Sequence, residues 1–242
     1  MTPEVGQPAP LPEFPHVNDA VEVFNNFEMT DKNTMFAGDI RDFLRTYTGP
    51  KFDLILIDPP WQFTVPVVPM NRRVENHYMT MPLNDLMALP IQNITKKPSI
   101  LFLWSINTLI PEACKLMEKW GFKYTTKMDW IKVRNGKIQI GLGVNVRGSS
   151  ESLLIGKCGN YPVPLPKNRP ASGIIAERTK HSEKPEESYK KVEEMYPDAR
   201  KLELFARKQR RGWFVVGNQI NGWRNFNGTE YTEGIGRFEV DE

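Results

Sequence analysis

The segment Phe52-Asp-Leu-Ile-Leu-Ile-Asp58-Pro59-Pro60-Trp61 places a carboxylate, two prolines and an indole at the end of an apolar run. An ionised Asp is an acceptor only. Consecutive prolines remove two backbone donors and hold φ at each, so the stretch offers carbonyl oxygens in a rigid arrangement. Trp61 adds a flat, polarisable face. Together these residues make a socket for a planar ring bearing an exocyclic amine. Its two N–H groups would bond Asp58 and the Pro59 carbonyl while the ring stacks on aromatic surface. Acceptors at both hydrogens of an aromatic amine favour a pyramidal nitrogen and free its lone pair. They also stabilise the charge that builds as nitrogen attacks, on the order of a few kcal/mol. Holding a methyl sulfonium in line with that nitrogen would contribute a further ~7–11 kcal/mol through orientation. The tetrapeptide alone also fits a rigid strand-to-loop turn.

The elements that position this segment are short apolar runs separated by helical stretches. The runs are 52–57, 99–104, 128–133, 152–156, 173–176, 201–206 and 213–217, near-continuous in the manner of strands buried on both faces. Asn107–Trp120 places Leu109, Ala113, Leu116, Met117 and Trp120 at helical spacing and ends at Gly121; Pro185–Tyr196 repeats the pattern and ends at Pro197. Alternating strands and helices predict an α/β fold with a mostly parallel, doubly wound sheet. Two long connections, 62–77 and 159–172, follow strand ends and carry Arg72, Arg73, Lys167 and Arg169; ligand sites of such sheets form outside the carboxyl ends of strands. Residues 1–16, with five prolines, read as a flexible arm, 17–222 as the catalytic domain and 223–242 as a tail.

Composition narrows the class. The chain has 242 residues, 40% of them hydrophobic, and a net charge of +3, which permits a nucleic-acid partner without requiring one. No run of about 18 apolar residues exists to span a membrane, and the proline-rich start lacks the basic and apolar regions of a secretory signal. Cys114 and Cys158 are too few for a disulfide framework, so a cytoplasmic or, in a eukaryote, nuclear setting is expected. His16, His77 and His181 lack metal-ligand spacing, and no metal is expected. GLGVNVRG lacks the context of a phosphate-binding loop.

The blocks GDIRDF (38–43), IDPPWQF, HYMTM (77–81), LFLWSIN (101–107), WGFKYTTKMDWIK (120–132), SESLLIGKCGN (150–160), HSEKPEE (181–187), KLELFARKQRRGW (201–213) and GNQING (217–222) resemble, in order, those of the MT-A70-like family of S-adenosylmethionine-dependent adenine N6-methyltransferases. The resemblance implies a Rossmann-like methyltransferase fold, S-adenosylmethionine as cofactor and Asp58, Pro59, Pro60 and Trp61 as the catalytic centre. It further implies that Asp39 and Ile40 meet the cofactor's adenine and that Asp58 lies between the cofactor's amino group and the target amine. Lys184 and Arg207 would serve the methionine carboxylate and ribose, and Asn218 and Gln219 the ribose hydroxyls. Physics agrees: a carboxylate calls for Lys or Arg, and vicinal hydroxyls call for groups that both donate and accept.

Departures from the family pattern fall near the expected substrate contacts. Gln209-Arg210-Arg211 is a basic cluster, and Asn145 stands where an aromatic residue is usual. His77 and Tyr78 are candidates for bordering the base. Arg72, Arg73 and Arg147, with Lys167, Arg169, Lys208, Arg210 and Arg211, could form a phosphate-tracking rim. The compact block arrangement looks more like bacterial and phage forms, which favours DNA slightly over RNA. Two other classes stay open: a catalytically silent nucleic-acid-binding scaffold in a methyltransferase complex, and a methyltransferase for a protein amine or small molecule. Homo- or hetero-oligomers are both compatible with the sequence.

Overall fold

The computed structural model describes residues 34–62, 80–143, 145–178, 183–218 and 235–237. Its strands are β1 (Thr34–Ala37), β2 (Phe52–Ile57), β3 (Thr95–Ile106), β4 (Lys123–Arg134), β5 (Lys137–Ile138), β6 (Ser150–Cys158), β7 (Gly173–Glu177), β8 (Lys201–Leu204), β9 (Trp213–Gly217) and β10 (Ile235–Arg237). They join in one sheet of order β10-β1-β9-β8-β2-β3-β6-β4-β5, with β7 paired to β4. Parallel ladders link β1 to β9, β9 to β8, β8 to β2, β2 to β3 and β4 to β7. Because β6 is antiparallel to both β3 and β4, those two again point the same way as β2. The mostly parallel α/β sheet is thus observed, and β6, β5 and β10 are the strands that run against it.

Helices cover both faces. Helices α1 (Ile40–Thr46), α2 (Leu83–Ala88) and α3 (Ile110–Lys119) pack on one, and α4 (Glu186–Met195) on the other. Strand periodicity assigns the side chains: Ile55, Ile57, Leu101, Leu103 and Leu154 face α1–α3, while Leu54, Leu56, Phe102, Trp104 and Leu153 face α4. The helical pattern expected from Asn107 opens as a 3₁₀ turn (Asn107–Leu109) before α3. Gly121, at φ +85°, terminates α3 in a conformation that favours glycine, and the N–H of Phe122 reaches back to the Met117 carbonyl at 2.8 Å.

The polarity of β6 corrects one expectation about loops. Residues 159–172 do follow a strand's carboxyl end, but Cys158 pairs with Ser99 near the start of β3. The loop therefore leaves from the edge opposite Asp58, carrying Lys167 and Arg169 away from it. The β4–β6 connection, with Arg147, leaves from the same edge as Asp58, since Ile106 at the end of β3 pairs with Glu151. The N-terminal arm and most of the expected tail lie outside the described residues, although β10 belongs to that tail and pairs with β1.

Candidate active site

β2 delivers Asp58 to the carboxyl edge of the sheet, and the two prolines then fix the turn beyond it. The Trp61 N–H donates to the Pro59 carbonyl at 2.8 Å, closing a three-residue turn that leaves that oxygen a second lone pair. The Met81 N–H donates to the Pro60 carbonyl at 2.7 Å. Trp61 is only 7% exposed, packs with the α1–α3 core, and donates its indole N–H to the Trp104 carbonyl at 3.0 Å. The ring thus braces the turn against β3.

Asp58 sits in a line of alternating charge. Lys184 Nζ lies 2.9 Å from Asp58 Oδ1 and 3.2 Å from Glu151 Oε2, and Lys132 Nζ lies 2.5 Å from Glu151 Oε1. Asp58 Oδ2 has no partner among the described residues. Four parts of the chain supply this line: the end of β2, the β7–α4 connection, β6 and β4. Tryptophans form its wall, with Lys184 5.4 Å from the Trp104 ring centre, Lys132 5.1 Å from that of Trp130, and the two rings edge to face. Burial raises the Asp58 pKa against the pull of Lys184. Burial would lower that of Lys184, but Asp58 and Glu151 outweigh it and hold the ammonium charged. Burial would raise that of Glu151, yet the two lysines draw it down to about 2.

A second buried group lies beside this line, under α4. The Tyr189 hydroxyl donates to Glu203 Oε1 at 2.7 Å, and Arg210 stacks 3.4 Å from the Tyr189 ring centre while gripping Glu186 through both carboxylate oxygens. Burial pushes Glu203 up to about 7 and Tyr189 well above its ordinary value. Arg210 is thus engaged internally, which removes it from the expected phosphate-tracking rim. Lys208 pairs with Glu183.

Among the other predicted residues, Asp39 caps α1, accepting from the Arg41 N–H at 2.8 Å and from the Arg41 guanidinium, and that side-chain bond holds its pKa low. Ile40 is buried. Arg207 lies near enough to Asp58 to favour its ionised form. Asn218 is exposed just past Gly217, where any Cβ would stand 2.2 Å from the Ala206 carbonyl oxygen, so glycine is required for this strand end to cross the chain after β8. Phe205, before Ala206, holds a left-handed φ of +61°. Arg147 is exposed and donates to the Gly141 carbonyl at 3.0 Å. Arg72, Arg73, His77, Tyr78 and Gln219 lie outside the described residues. Sequence reasoning did not single out Glu151, Lys132, Glu203 or Tyr189. The available signal was a carboxylate inside or at the mouth of an apolar strand, Glu151 before SLLIG and Glu203 within KLEL.

Carboxylates, an ammonium and a guanidinium thus gather at the carboxyl edge of a mostly parallel sheet, where a Rossmann-like fold takes its ligands. The MT-A70 family profile matches residues 52–219, and the chain belongs to that family, whose methyltransferases take the methyl group from S-adenosylmethionine. It is 32% identical over 198 residues to an N(6)-adenosine-methyltransferase MT-A70-like protein of Arabidopsis thaliana, covering 78% of this chain and 26% of that protein. It is 28% identical to the type II methyltransferase M.MunI of a Mycoplasma species, over 70% of this chain and 78% of that protein. With the human N(6)-adenosine-methyltransferase catalytic subunit METTL3 the identity is 27%, over 71% of this chain and 29% of that protein. The chain spans about a quarter of the length of the plant protein. Among the described residues no helix is long and apolar enough to cross a membrane, and no group of His, Cys, Asp and Glu could hold a metal ion.

Proposed function

We propose that this chain transfers a methyl group from S-adenosylmethionine to the 6-amino group of an adenine in nucleic acid. The observation that carries the reading is the half-engaged Asp58: Lys184 occupies Oδ1, Oδ2 has no partner among the described residues, and the carbonyl of the next residue, Pro59, keeps a spare lone pair. Those two oxygens suit the two hydrogens of an exocyclic amine.

The residues also fit the cofactor by chemistry. Lys184 and Arg207 complement its carboxylate, Asp39 and Asp58 its amino and adenine N–H groups, and Asn218 and Gln219 its hydroxyls. Once bound, S-adenosylmethionine supplies an electrophilic methyl carbon on a sulfonium. Asp58 and Pro59 hold the amine with its lone pair directed away from both acceptors. As the amine took the methyl carbon and the S–C electron pair stayed with the departing thioether, Asp58 would oppose the positive charge on nitrogen. Its Oδ2 would then take the extra proton, a role suited to a carboxylate whose basicity burial has raised. Trp61 keeps the turn against β3 and so fixes both acceptors.

Two polymers have support. The compact order of the sequence blocks favours DNA, and the adenosine named for the plant and human relatives favours RNA. Incubation with labelled S-adenosylmethionine and single- or double-stranded DNA and RNA, followed by digestion and mass analysis, tests both. N6-methyladenine nucleoside from one of them is the expected product. No transfer to any of them, with Asp58→Ala indistinguishable from the unmodified chain, overturns the proposal.

A further inference from the structure

We infer that Glu151 and Lys132 are positioning residues that set, in opposite senses, how firmly Lys184 grips Asp58 and therefore how readily Asp58 accepts a proton. The inference rests on the function proposed above for its consequence in catalysis, but its electrostatic content is a property of this chain alone.

The geometry is a chain of four alternating charges in which the ends differ. Lys184 is shared between two carboxylates, at 2.9 Å from Asp58 and 3.2 Å from Glu151. Glu151 is shared between two ammonium groups, one on each oxygen. Asp58 alone keeps an oxygen without a partner among the described residues. The side chains are between 11% and 20% exposed, so solvent does little to screen one from the next. A lysine held only by Asp58 would quench that carboxylate as a base. The pull of Glu151 from the other side moderates the grip, and Lys132 in turn moderates Glu151. The two lysines hold the Glu151 pKa well below the ordinary carboxylate range, so it carries its charge at neutral pH.

Other charges face the same groups and are unaltered when Glu151 or Lys132 is replaced. Arg207 and Glu203 of the β8–β9 region and Tyr189 of α4 act on Asp58, with Arg210 and Glu186 behind them. Glu183, next to Lys184, is occupied by Lys208.

The test uses Glu151→Gln, which keeps an acceptor for Lys184 and removes the charge, and Lys132→Met, which keeps the aliphatic stem over Trp130. Asp58 is titrated by carboxyl carbon NMR in the full chain without cofactor, its signal assigned from Asp58→Asn. Glu151→Gln is expected to lower the Asp58 pKa by about one unit, the low end of what a nearby charge does, and Lys132→Met, one link further along, to raise it by about half a unit. In turnover, the acid limb of kcat/KM moves in the same two directions. Glu151→Asp, which restores the charge, returns both readouts towards those of the unmodified chain. Shifts of the same sign in the two variants, or none, overturn the inference, and thermal melting shows whether each variant is folded. If the unmodified chain methylates nothing while the titrations still move in opposite senses, the proposed function fails and the coupling stands.

Discussion

The two faces of the sheet carry the same strands but different chemistry. Towards α1–α3 the buried layer is hydrocarbon and aromatic: Phe43 is fully buried and stacks against Phe36, Tyr47 and Phe214, and Phe52 joins them. Towards α4, one residue along each strand, the layer contains Glu203 and Tyr189 and is continuous at its carboxyl edge with Asp58, Lys184, Glu151 and Lys132. Buried charge is costly unless paired. The first face therefore supplies stability, and the second spends part of it to hold a carboxylate at the edge with one oxygen unpartnered among the described residues.

Phe43→Ala should break the contrast most strongly, lowering unfolding free energy by about 4 kcal/mol through lost burial and the cavity left behind. Denaturant melts would show it, while kcat per folded molecule stays the same. Asp58→Ala is the converse. Turnover should fall by at least about 10²–10³, the loss typical of removing a fixed electrostatic partner of the transition state, with melting temperature lowered less than by Phe43→Ala, because Lys184 keeps Glu151 as a partner. Loss of stability on the scale of Phe43→Ala with turnover intact would reverse the assignment of the two faces.

Glu203→Gln sharpens the comparison through pH. With a folded pKa of about 7 against an ordinary 4.5, the folded chain binds more protons than the unfolded one between those values. Stability is therefore lost as pH rises through that window. The amide of the variant copies the protonated acid, so the variant should be more stable than the unmodified chain at pH 8, by about 3 kcal/mol, and equal to it near pH 4. Calorimetry at the two pH values checks the sign. Asp39→Ala should cost about 1 kcal/mol through the lost α1 cap and weaken S-adenosylmethionine binding in calorimetric titration. Arg45→Ala removes an exposed pair with Asp42 and should change stability by less than about 0.5 kcal/mol.

Much of this was legible in the chain. Each apolar run that read as a strand holds one, although the 201–206 run stops at Leu204, where Phe205 turns left-handed, and both helical patterns fold as helices, because burial on two faces leaves a continuous apolar signature and an amphipathic helix a periodic one. Asp58 and Lys184 stood out because motif and resemblance pointed to them. Strand direction was not legible: the composition of β6 is that of a parallel strand, yet it runs backwards and turns the 159–172 loop to the far edge. Glu151 and Lys132 were missed for a related reason. Each is an ordinary charged residue at a strand end, and only pairing between β3, β6 and β4 brings them to Lys184.

The amino-acid order alone settled which residues alternate between the faces, where the rigid acidic turn falls and which family pattern the chain resembles, since these depend on neighbours a few positions apart. The tertiary structure decided the company that the acidic turn keeps. Lys184 reaches Asp58 across more than a hundred positions, and Glu151 is held between two lysines from separate elements. Contacts of that kind depend on strand order and direction, which local periodicity does not encode.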